Sequence, residues 1–264
     1  MSTPAGGLWL VGAGNMAGAM LRRWVAAGTD AATVTAVDPG QPQLPAGVRH
    51  FAEPPADAAP DILLLGVKPQ LLDVAAQAWA GTPTHLLVSI LAGVDLATLH
   101  ARFPRAQAIV RAMPNLPVAL GKGVVALHGD EDARNDAEAL MAPLGLVEWI
   151  GREDQFDAVT ALSGCSPGFT YRFIDALAAA GRALGLPADQ AQRLAVATVE
   201  GAGALAAASD DSPATLADRV ASPGGATREG LNVLDRDDAL VRLLSETLRA
   251  AADRSAEMAA AARA

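Results

Sequence analysis

The feature that most restricts the fold is a short apolar run that leads into a glycine-rich motif and then a helix. Residues 8–12, LWLVG, are apolar up to the glycine, as in a buried strand of a parallel sheet. The helical pattern of residues 15–27 follows and stops at Gly28. The motif GAGNMA lies between them, and a GxGxxA sequence placed between a strand and a helix indicates a dinucleotide-binding βαβ unit.

The small residues of this motif each have a physical reason in a phosphate-binding loop. Gly12 permits a tight turn, Gly14 permits close approach of a pyrophosphate, and Ala17 permits close packing of the helix. The helix start adds free N–H groups and the positive end of the helix dipole. We therefore expect six consecutive residues to bind the cofactor: Gly12, Ala13, Gly14, Asn15, Met16 and Ala17.

The two halves of the chain have different patterns. Short apolar runs alternate with helical segments in the first half, which predicts βαβ units and a parallel sheet. The second half is rich in alanine, leucine and arginine, which predicts helices. The predicted fold class is α/β, with an N-terminal Rossmann-type domain at 1–152 and an all-α domain at 153–264. The proline-rich stretch 39–60 is predicted to be mostly loop, and the alanine-rich tail 259–264 is predicted to fray.

The expected elements are as follows. The predicted strands are 8–12, 33–37, 62–65, 86–90, 108–111 and 123–127. The predicted helices of the second half are 166–184, 189–208, 213–219, 225–234 and 236–260.

Composition argues against several classes of protein. The formal net charge of −9 argues against a nucleic-acid partner, which would require a basic face. The longest apolar runs are far shorter than the roughly 20 residues of a membrane span, so no membrane partner is expected. The single cysteine, Cys165, permits no intrachain disulfide, and no Cys or His spacing indicates a metal. Residues 1–7 lack a basic stretch, so we expect no signal peptide and a cytoplasmic protein.

A carboxylate marks the end of the second predicted strand. Asp38 lies 21 residues after Ala17, where an acidic side chain accepts hydrogen bonds from an adenosine ribose. Its charge would repel the 2′-phosphate of NADPH, and no arginine follows before Arg49. Asp38 therefore argues for use of NADH. The alternative interpretation is an Asp-Pro turn residue at the start of a loop.

Three more loops marked by glycine or proline follow later strands. They are 66–70 (GVKPQ), 89–94 (SILAGV) and 111–117 (RAMPNLP). Because ligands bind at the carboxyl ends of parallel strands, we expect these loops at the cofactor. Pro69 suits the first turn of a helix, and Lys68 fits a solvated or phosphate-facing amine better than a catalytic base. The prolines of the third loop predict an extended wall of a nicotinamide pocket.

Two stretches interrupt the alanine-rich background of the helical half. Residues 163–169 precede a long helix, and residues 222–227, SPGGAT, lie between two helices. The second stretch can present several backbone N–H groups at a helix start, which would bind a small carboxylate. The alternative for both stretches is that they only begin helices and bind no ligand, because Ser, Pro and Gly are common at helix starts.

The motifs GAGNMA, VKPQ, SILAGV, RAMPNLP, LSGCSPGF and SPGGAT, in this order, resemble those of the pyrroline-5-carboxylate reductase family over nearly the whole chain. The resemblance implies reduction of 1-pyrroline-5-carboxylate to L-proline with NADPH or NADH. It implies homodimers that interlock through helical dimerisation domains and can assemble into larger rings. Beyond the first motif, the expected cofactor contacts are Asp38, Val67, Lys68, Pro69, Ala92 and Gly93. The expected substrate contacts are Glu153, Ser222, Gly225, Ala226 and Thr227.

Thr227 is the candidate catalytic residue. A protonated cyclic imine is already electrophilic, so hydride transfer needs positioning and no strong acid. The Thr227 hydroxyl can donate or accept one hydrogen bond at the ring nitrogen, while N–H groups around Gly225 and Ala226 hold the carboxylate. No Lys or His follows His128. That absence counts against hydroxy-acid dehydrogenases of similar build, which need such a residue in the helical half.

Two departures from the family pattern leave alternatives open. The family usually has SGSGPAY where this chain has 163–169, SGCSPGF, so that Ser166 and Gly168 alter the entry to a helix beside Cys165. The family often has Asn or Arg where this chain has Asp38. The alternatives are a reductase of another cyclic imine and a dinucleotide-binding regulator without catalytic activity.

Overall fold

The structure, a computed structural model, describes residues 7–263. Within that range the chain forms two compact units, one of residues 7–165 with 251–263 and the other of residues 166–250. The compact units divide after residue 165, because the segment after 152 packs on the sheet through the buried Phe156. The domain boundary at 152 stays a prediction, and most of the N-terminal stretch assessed for a signal peptide lies outside the described residues.

The first unit contains one eight-stranded sheet with the order β3-β2-β1-β4-β5-β6-β7-β8. All neighbouring strands are parallel except β6 and β7, which are antiparallel. The strands are β1 (Leu8–Val11), β2 (Val34–Val37), β3 (Arg49–Phe51), β4 (Ile62–Leu65), β5 (Thr84–Ser89), β6 (Ala106–Pro114), β7 (Gly123–Gly129) and β8 (Gly145–Trp149). The order turns back between β1 and β4, and such a switch point is where doubly wound sheets bind ligands.

Helices cover both faces of this sheet, which is why its central strands are apolar throughout. Leu8 and Leu10 of β1 pack with Trp24 on one face. Trp9 and Val11 point to the other face, where they pack with Trp79. The helices of this unit are α1 (Asn15–Ala26), α2 (Leu72–Trp79), α3 (Leu96–Arg102), α4 (Arg134–Met141) and α5 (Phe156–Val159).

The second unit is helical, as predicted. Its helices are α6 (Ser166–Ala183), α7 (Ala188–Ala207), α8 (Pro213–Arg219) and α9 (Ala226–Asp235), followed by the start of α10 (Ala239–Arg263). Helices α6 and α7 bury small side chains, including Ala178, Ala191 and Ala195. The sequence therefore predicts the fold class correctly: a Rossmann-type sheet domain followed by helices.

Several local predictions are wrong. The stretch 39–60 is mostly loop, as predicted, but it also contains the short edge strand β3, which the sequence does not predict because its three residues are exposed and give no apolar pattern. Strand β8 is not predicted either, because its residues are only half-buried or exposed. The predicted loop at 111–117 begins inside β6, which extends through Pro114. Residues 259–263 are helical instead of frayed, and residue 264 lies outside the described range.

Candidate active site

The first glycine loop lies at a crossing of β1, β4 and α1 that leaves no room for larger residues. Gly12 has a φ of +87°, and an added Cβ would lie 3.0 Å from the carbonyl of Gly66 and from Cγ1 of Val67. The Gly12 N–H donates to the carbonyl of Val37 over 2.8 Å. An added Cβ on Gly66 would lie 2.8 Å from the Cβ of Ala17. These close approaches fix the start of α1 at the carboxyl ends of the strands.

The same loop is open where a pyrophosphate would approach. Gly14 and Asn15 are exposed, and an added Cβ on Gly14 meets no atom within 4 Å. Helix α1 begins at Asn15, and no side chain caps its first turn. An open glycine beside an uncapped helix start fits a dinucleotide phosphate. The side chains of Ala13, Met16 and Ala17 are buried or half-buried, so only the backbone groups of these residues could face a bound phosphate.

Asp38 is bound to the glycine loop and to its own turn. Its Oδ2 accepts a hydrogen bond from the N–H of Ala13 over 2.7 Å, and its Oδ1 accepts one from the N–H of Gly40 over 2.8 Å. The carboxylate thus serves as a turn residue and also lies beside the loop. A carboxylate has about four lone-pair sites, so ribose hydroxyls can still donate to it.

Two further loops follow the carboxyl ends of β4 and β5. Val67 and Pro69 are half-buried, Lys68 is exposed, and Pro69 opens a 3₁₀ turn before α2. Ala92 and Gly93 are half-buried after β5. Four loops, after β1, β2, β4 and β5, therefore share one edge of the sheet, as the strand alternation predicts.

Glu153 forms an ion pair with a buried cation. Its Oε1 accepts hydrogen bonds from Nη1 of Arg111 over 2.7 Å and from the N–H of Leu96 over 2.8 Å. Arg111 is 7% exposed, and its guanidinium lies 4.4 Å from the ring centroid of Phe156. The Glu153 side chain is therefore engaged within the first unit.

The SPGGAT stretch forms a turn and a helix start in the second unit. The N–H of Gly225 donates to the carbonyl of Ser222 over 2.9 Å, and α9 begins at Ala226 without a side-chain cap. Thr227, the second residue of α9, is exposed, as are Ser222 and Ala226. The uncapped start of α9 has the N–H groups that a small carboxylate would need.

The role of Asn115 is not predicted from the sequence. Its Nδ2 donates to the carbonyl of Ser163 over 3.0 Å, and its Oδ1 accepts from the N–H of Val124 over 2.8 Å. Ser163 belongs to a π-helical segment, Thr160–Gly164, that leads to α6. The motifs RAMPNLP and LSGCSPGF are thus joined by a buried amide, and π-helical turns occur frequently at functional sites.

Residues 7–263 contain neither a metal-binding cluster nor a membrane-spanning helix. Within that range, no group of three or more His, Cys, Asp or Glu side chains is arranged to hold a metal ion. No helix in the described part of the chain is long and apolar enough to cross a membrane.

Comparison with protein families gives matches to both halves of the chain. Residues 153–258 match the family model described as pyrroline-5-carboxylate reductase dimerisation. Residues 8–93 match the model described as NADP oxidoreductase, coenzyme F420-dependent.

Individual proteins are similar to the chain over nearly its whole length. Pyrroline-5-carboxylate reductase of Pseudomonas aeruginosa is 36% identical over 273 residues, covering 98% of each chain. The solved pyrroline-5-carboxylate reductase of Coxiella burnetii is 30% identical, has a TM-score of 0.85, and covers 95% of this chain and 97% of its own. The enzyme of Plasmodium falciparum, solved with NADP bound, is 24% identical with a TM-score of 0.82, covering 98% of this chain and 100% of its own, and supports the fold.

Proposed function

The chain belongs to the pyrroline-5-carboxylate reductase family, and we propose from that premise that it reduces 1-pyrroline-5-carboxylate to L-proline with NADPH or NADH. This reaction is the last step of proline biosynthesis. The observation that carries the proposal is 36% identity to a named reductase along 98% of both chains. The open glycine loop and uncapped start of α1 support it, because they fit the dinucleotide that such a reduction needs.

The first unit would hold the cofactor. Backbone groups of 12–17 and the start of α1 would bind the pyrophosphate, and Asp38 would accept hydrogen bonds from the adenosine ribose. Residues 67–69 and 92–93 would line the rest of the dinucleotide site. When bound, the reduced nicotinamide supplies the hydride that adds to the imine carbon.

The SPGGAT turn would hold the substrate. N–H groups at the start of α9, around Gly225 and Ala226, would bind the carboxylate, with the Ser222 hydroxyl beside them. The Thr227 hydroxyl would hydrogen-bond the ring nitrogen and orient the imine carbon. Thr227 is a poor acid, so the proton on nitrogen would come from solvent or from an already protonated imine.

A matched pair of Thr227 variants tests the substrate part of this proposal. Thr227→Val keeps the shape and removes the hydroxyl, so we expect a ten- to hundredfold loss of kcat/KM, about 1–3 kcal/mol. Thr227→Ser keeps the hydroxyl and should retain much of the activity, and cofactor affinity should be unchanged in both. A fully active Thr227→Val variant would remove the main support for SPGGAT as the substrate site.

A substrate panel separates the remaining alternatives. Purified chain is assayed with 1-pyrroline-5-carboxylate and with a six-membered cyclic imine, each with NADH and NADPH, and with a hydroxy acid in the presence of NAD+ or NADP+. The proposal expects the highest kcat/KM with 1-pyrroline-5-carboxylate. A higher value with the other imine would reassign the substrate, and cofactor binding without turnover of any substrate would indicate a regulator.

We further infer a homodimer through the helical unit. The dimerisation model matches residues 153–258, and large apolar side chains of that unit are exposed in the single chain, among them Tyr171, Phe173, Leu194 and Leu205. Light scattering should report twice the mass of the 26.8 kDa chain, or an even multiple if dimers form rings. A monomer at micromolar concentration would contradict the inference. We also propose a cytoplasmic location, which cell fractionation tests.

A further inference from the structure

The loop between β5 and α3, residues 90–95, is held only in part by its own neighbourhood; we call it the second dinucleotide loop. The N–H of Ile90 donates to the carbonyl of Leu65 over 3.0 Å, and the N–H of Leu91 donates to Oγ of Ser89 over 3.3 Å. These bonds fix the start of the loop. At its far end the Asp95 side chain caps α3 by accepting the N–H of Thr98 over 2.8 Å, and residues from much later in the chain add further contacts.

Glu153 holds the end of the second dinucleotide loop. Its Oε1 accepts the N–H of Leu96, the first residue of α3, over 2.8 Å. The same oxygen accepts Nη1 of Arg111 over 2.7 Å. Arg111 is buried between this carboxylate and the ring of Phe156, so its charge has little access to water. A buried guanidinium needs a paired carboxylate, which fixes where Glu153 lies, and Glu153 thereby holds the first N–H of α3 beside the Asp95 cap.

The last turns of α10 hold the middle of the same loop. Ala259 is 9% exposed, and an added Cβ on Gly93 would lie 2.9 Å from the Cα of Ala259 and 3.1 Å from its nitrogen. Gly93 has a φ of +77°, so glycine meets both a conformational and a steric demand. Ser255 anchors this end of α10 because its hydroxyl donates to Oδ1 of Asp157 over 2.7 Å.

We propose that Glu153 and Ala259 are positioning residues for the second dinucleotide loop and thereby set the affinity for the cofactor. This proposal rests on the proposed function, in which Ala92 and Gly93 contact the dinucleotide. It gives Glu153 a role different from the substrate contact that the family resemblance implies. A side chain already engaged by Arg111 and Leu96 acts on the cofactor through the backbone of the loop.

The proposal predicts a specific split between kinetic constants. Moving the second dinucleotide loop alters the cofactor site, while the SPGGAT turn lies in the other compact unit. Loss of the Glu153 contact should therefore raise the KM and Kd for NADH and NADPH and leave the KM for the imine unchanged. A direct substrate contact would give the opposite pattern.

The first experiment compares Glu153→Ala with Glu153→Gln and with Asp154→Ala in the full-length chain. Glu153→Ala removes both hydrogen bonds and should raise the cofactor Kd about tenfold, measured by quenching of protein fluorescence. Glu153→Gln keeps an acceptor oxygen and should recover most of the affinity. Asp154 is an exposed neighbour paired with Arg152, so Asp154→Ala should behave like the native chain.

A double variant guards against simple misfolding. Glu153→Ala leaves the Arg111 charge buried and unpaired, which can unfold the chain. Arg111→Met with Glu153→Ala removes both charges and should regain thermal stability. Cofactor affinity should stay weak in this variant, because the N–H of Leu96 still lacks its acceptor. Recovery of both stability and affinity would show that Glu153 acts only through stability and would overturn the proposal.

The second experiment uses the same substitution at adjacent positions of α10. Ala259→Leu adds bulk beside Gly93 and should raise the cofactor Kd about fivefold. Ala260 is exposed, so Ala260→Leu should change nothing measurable. Equal Kd values for the two variants would overturn the role of Ala259.

The failures of the two proposals are distinguishable. If the native chain does not reduce 1-pyrroline-5-carboxylate with either cofactor, the proposed function fails. If the native chain is active and Glu153→Ala raises only the KM for the imine, the positioning proposal fails and Glu153 is a substrate contact.

Discussion

The loop at 12–17 and the second dinucleotide loop at 90–95 lie at the same edge of one sheet, and different parts of the chain hold them. The first is fixed by Val37, Asp38 and Gly66, all within the first 66 residues. The second is held locally by Ser89 and Asp95 and also contacts Glu153 and Ala259, which follow it by about 60 and 165 positions along the chain.

Because of this difference, we expect substitutions in the two loops to change stability and cofactor affinity in different proportions. The first loop is part of the packing between β1, β4 and α1, so a change there should lower stability and affinity together. The second loop is anchored in the core by Leu91 and Val94, and its contacts with Glu153 and Ala259 lie outside the core clusters. A change in those outer contacts should therefore lower affinity with a smaller loss of stability. Substitutions of matched size can test this separation.

The largest effect is expected at Gly12. Gly12→Ala forces a Cβ to within 3.0 Å of Gly66 and Val67 at a φ of +87°. Backbone strain of about 1–3 kcal/mol adds to the overlap, so we expect about a hundredfold weaker cofactor binding and a clear drop in melting temperature. Fluorescence titration and thermal unfolding measure the two effects.

Gly14→Ala is the matched control for this prediction. An added Cβ at Gly14 meets nothing within 4 Å and φ there is −67°, so stability should be unchanged while affinity falls. If Gly12→Ala kept native stability, the first loop would not be part of the core packing and the two loops would not differ in this respect.

An intermediate effect is expected from Asp38, the acidic residue directly after β2. Its carboxylate lies beside Ala13, so we predict that NADH is used at least as well as NADPH. Repulsion between this carboxylate and the 2′-phosphate of NADPH costs about 1–3 kcal/mol, or ten- to a hundredfold in affinity. Asp38→Asn removes the charge and should narrow the difference between the two cofactors. The ratio of kcat/KM for the two cofactors measures it. A native chain with a strong preference for NADPH would contradict this role.

The first loop could be predicted in detail and the second could not, for a physical reason. Gly12, Gly14 and Ala17 occupy fixed positions in a local motif, so the sequence shows both the loop and its flanking strand and helix. The contact of Glu153 with Leu96 joins residues 57 positions apart, and no spacing rule marks it. In the sequence Arg111 stands at the start of a predicted loop, and nothing there predicts that its side chain is buried.

The fold shows the same limit. Strands with continuous apolar runs, such as Ile62–Leu65, are predicted because both faces are buried. Edge strand Arg49–Phe51 is exposed at every position and leaves no pattern. The alanine-rich end of α10 is typical of a fraying tail in the sequence. It packs instead because Ala259 contacts Gly93, which is far away along the chain.

The smallest effect is expected at the opposite, amino end of β5, where neither loop lies. A hydrogen bond from His85 to Asp136 raises the pKa of His85 above 6.5, and a bond to Gln107 adds to the rise. Protonated His85 therefore stabilises the fold below about pH 6.5, and this contribution is lost as the pH rises through the raised pKa. Both partners are exposed, so the gain is small.

The unfolding free energy of the native chain should decrease slightly between pH 6 and pH 8, and His85→Gln should lack this decrease. Cofactor affinity should be the same as in the native chain at each pH. A changed affinity would show that the two loops are not insulated from the far edge of the sheet.

Transfer of an isotope from the cofactor to the product would show the proposed reduction itself. The full-length chain is incubated with 1-pyrroline-5-carboxylate and NADH that carries deuterium at both positions of nicotinamide C4, and the product is analysed by mass spectrometry. The proposed reduction predicts L-proline with one deuterium on its δ carbon and one oxidised cofactor for each proline formed. Cofactor binding without labelled proline, under conditions where the loops at 12–17 and 90–95 are intact, would contradict it.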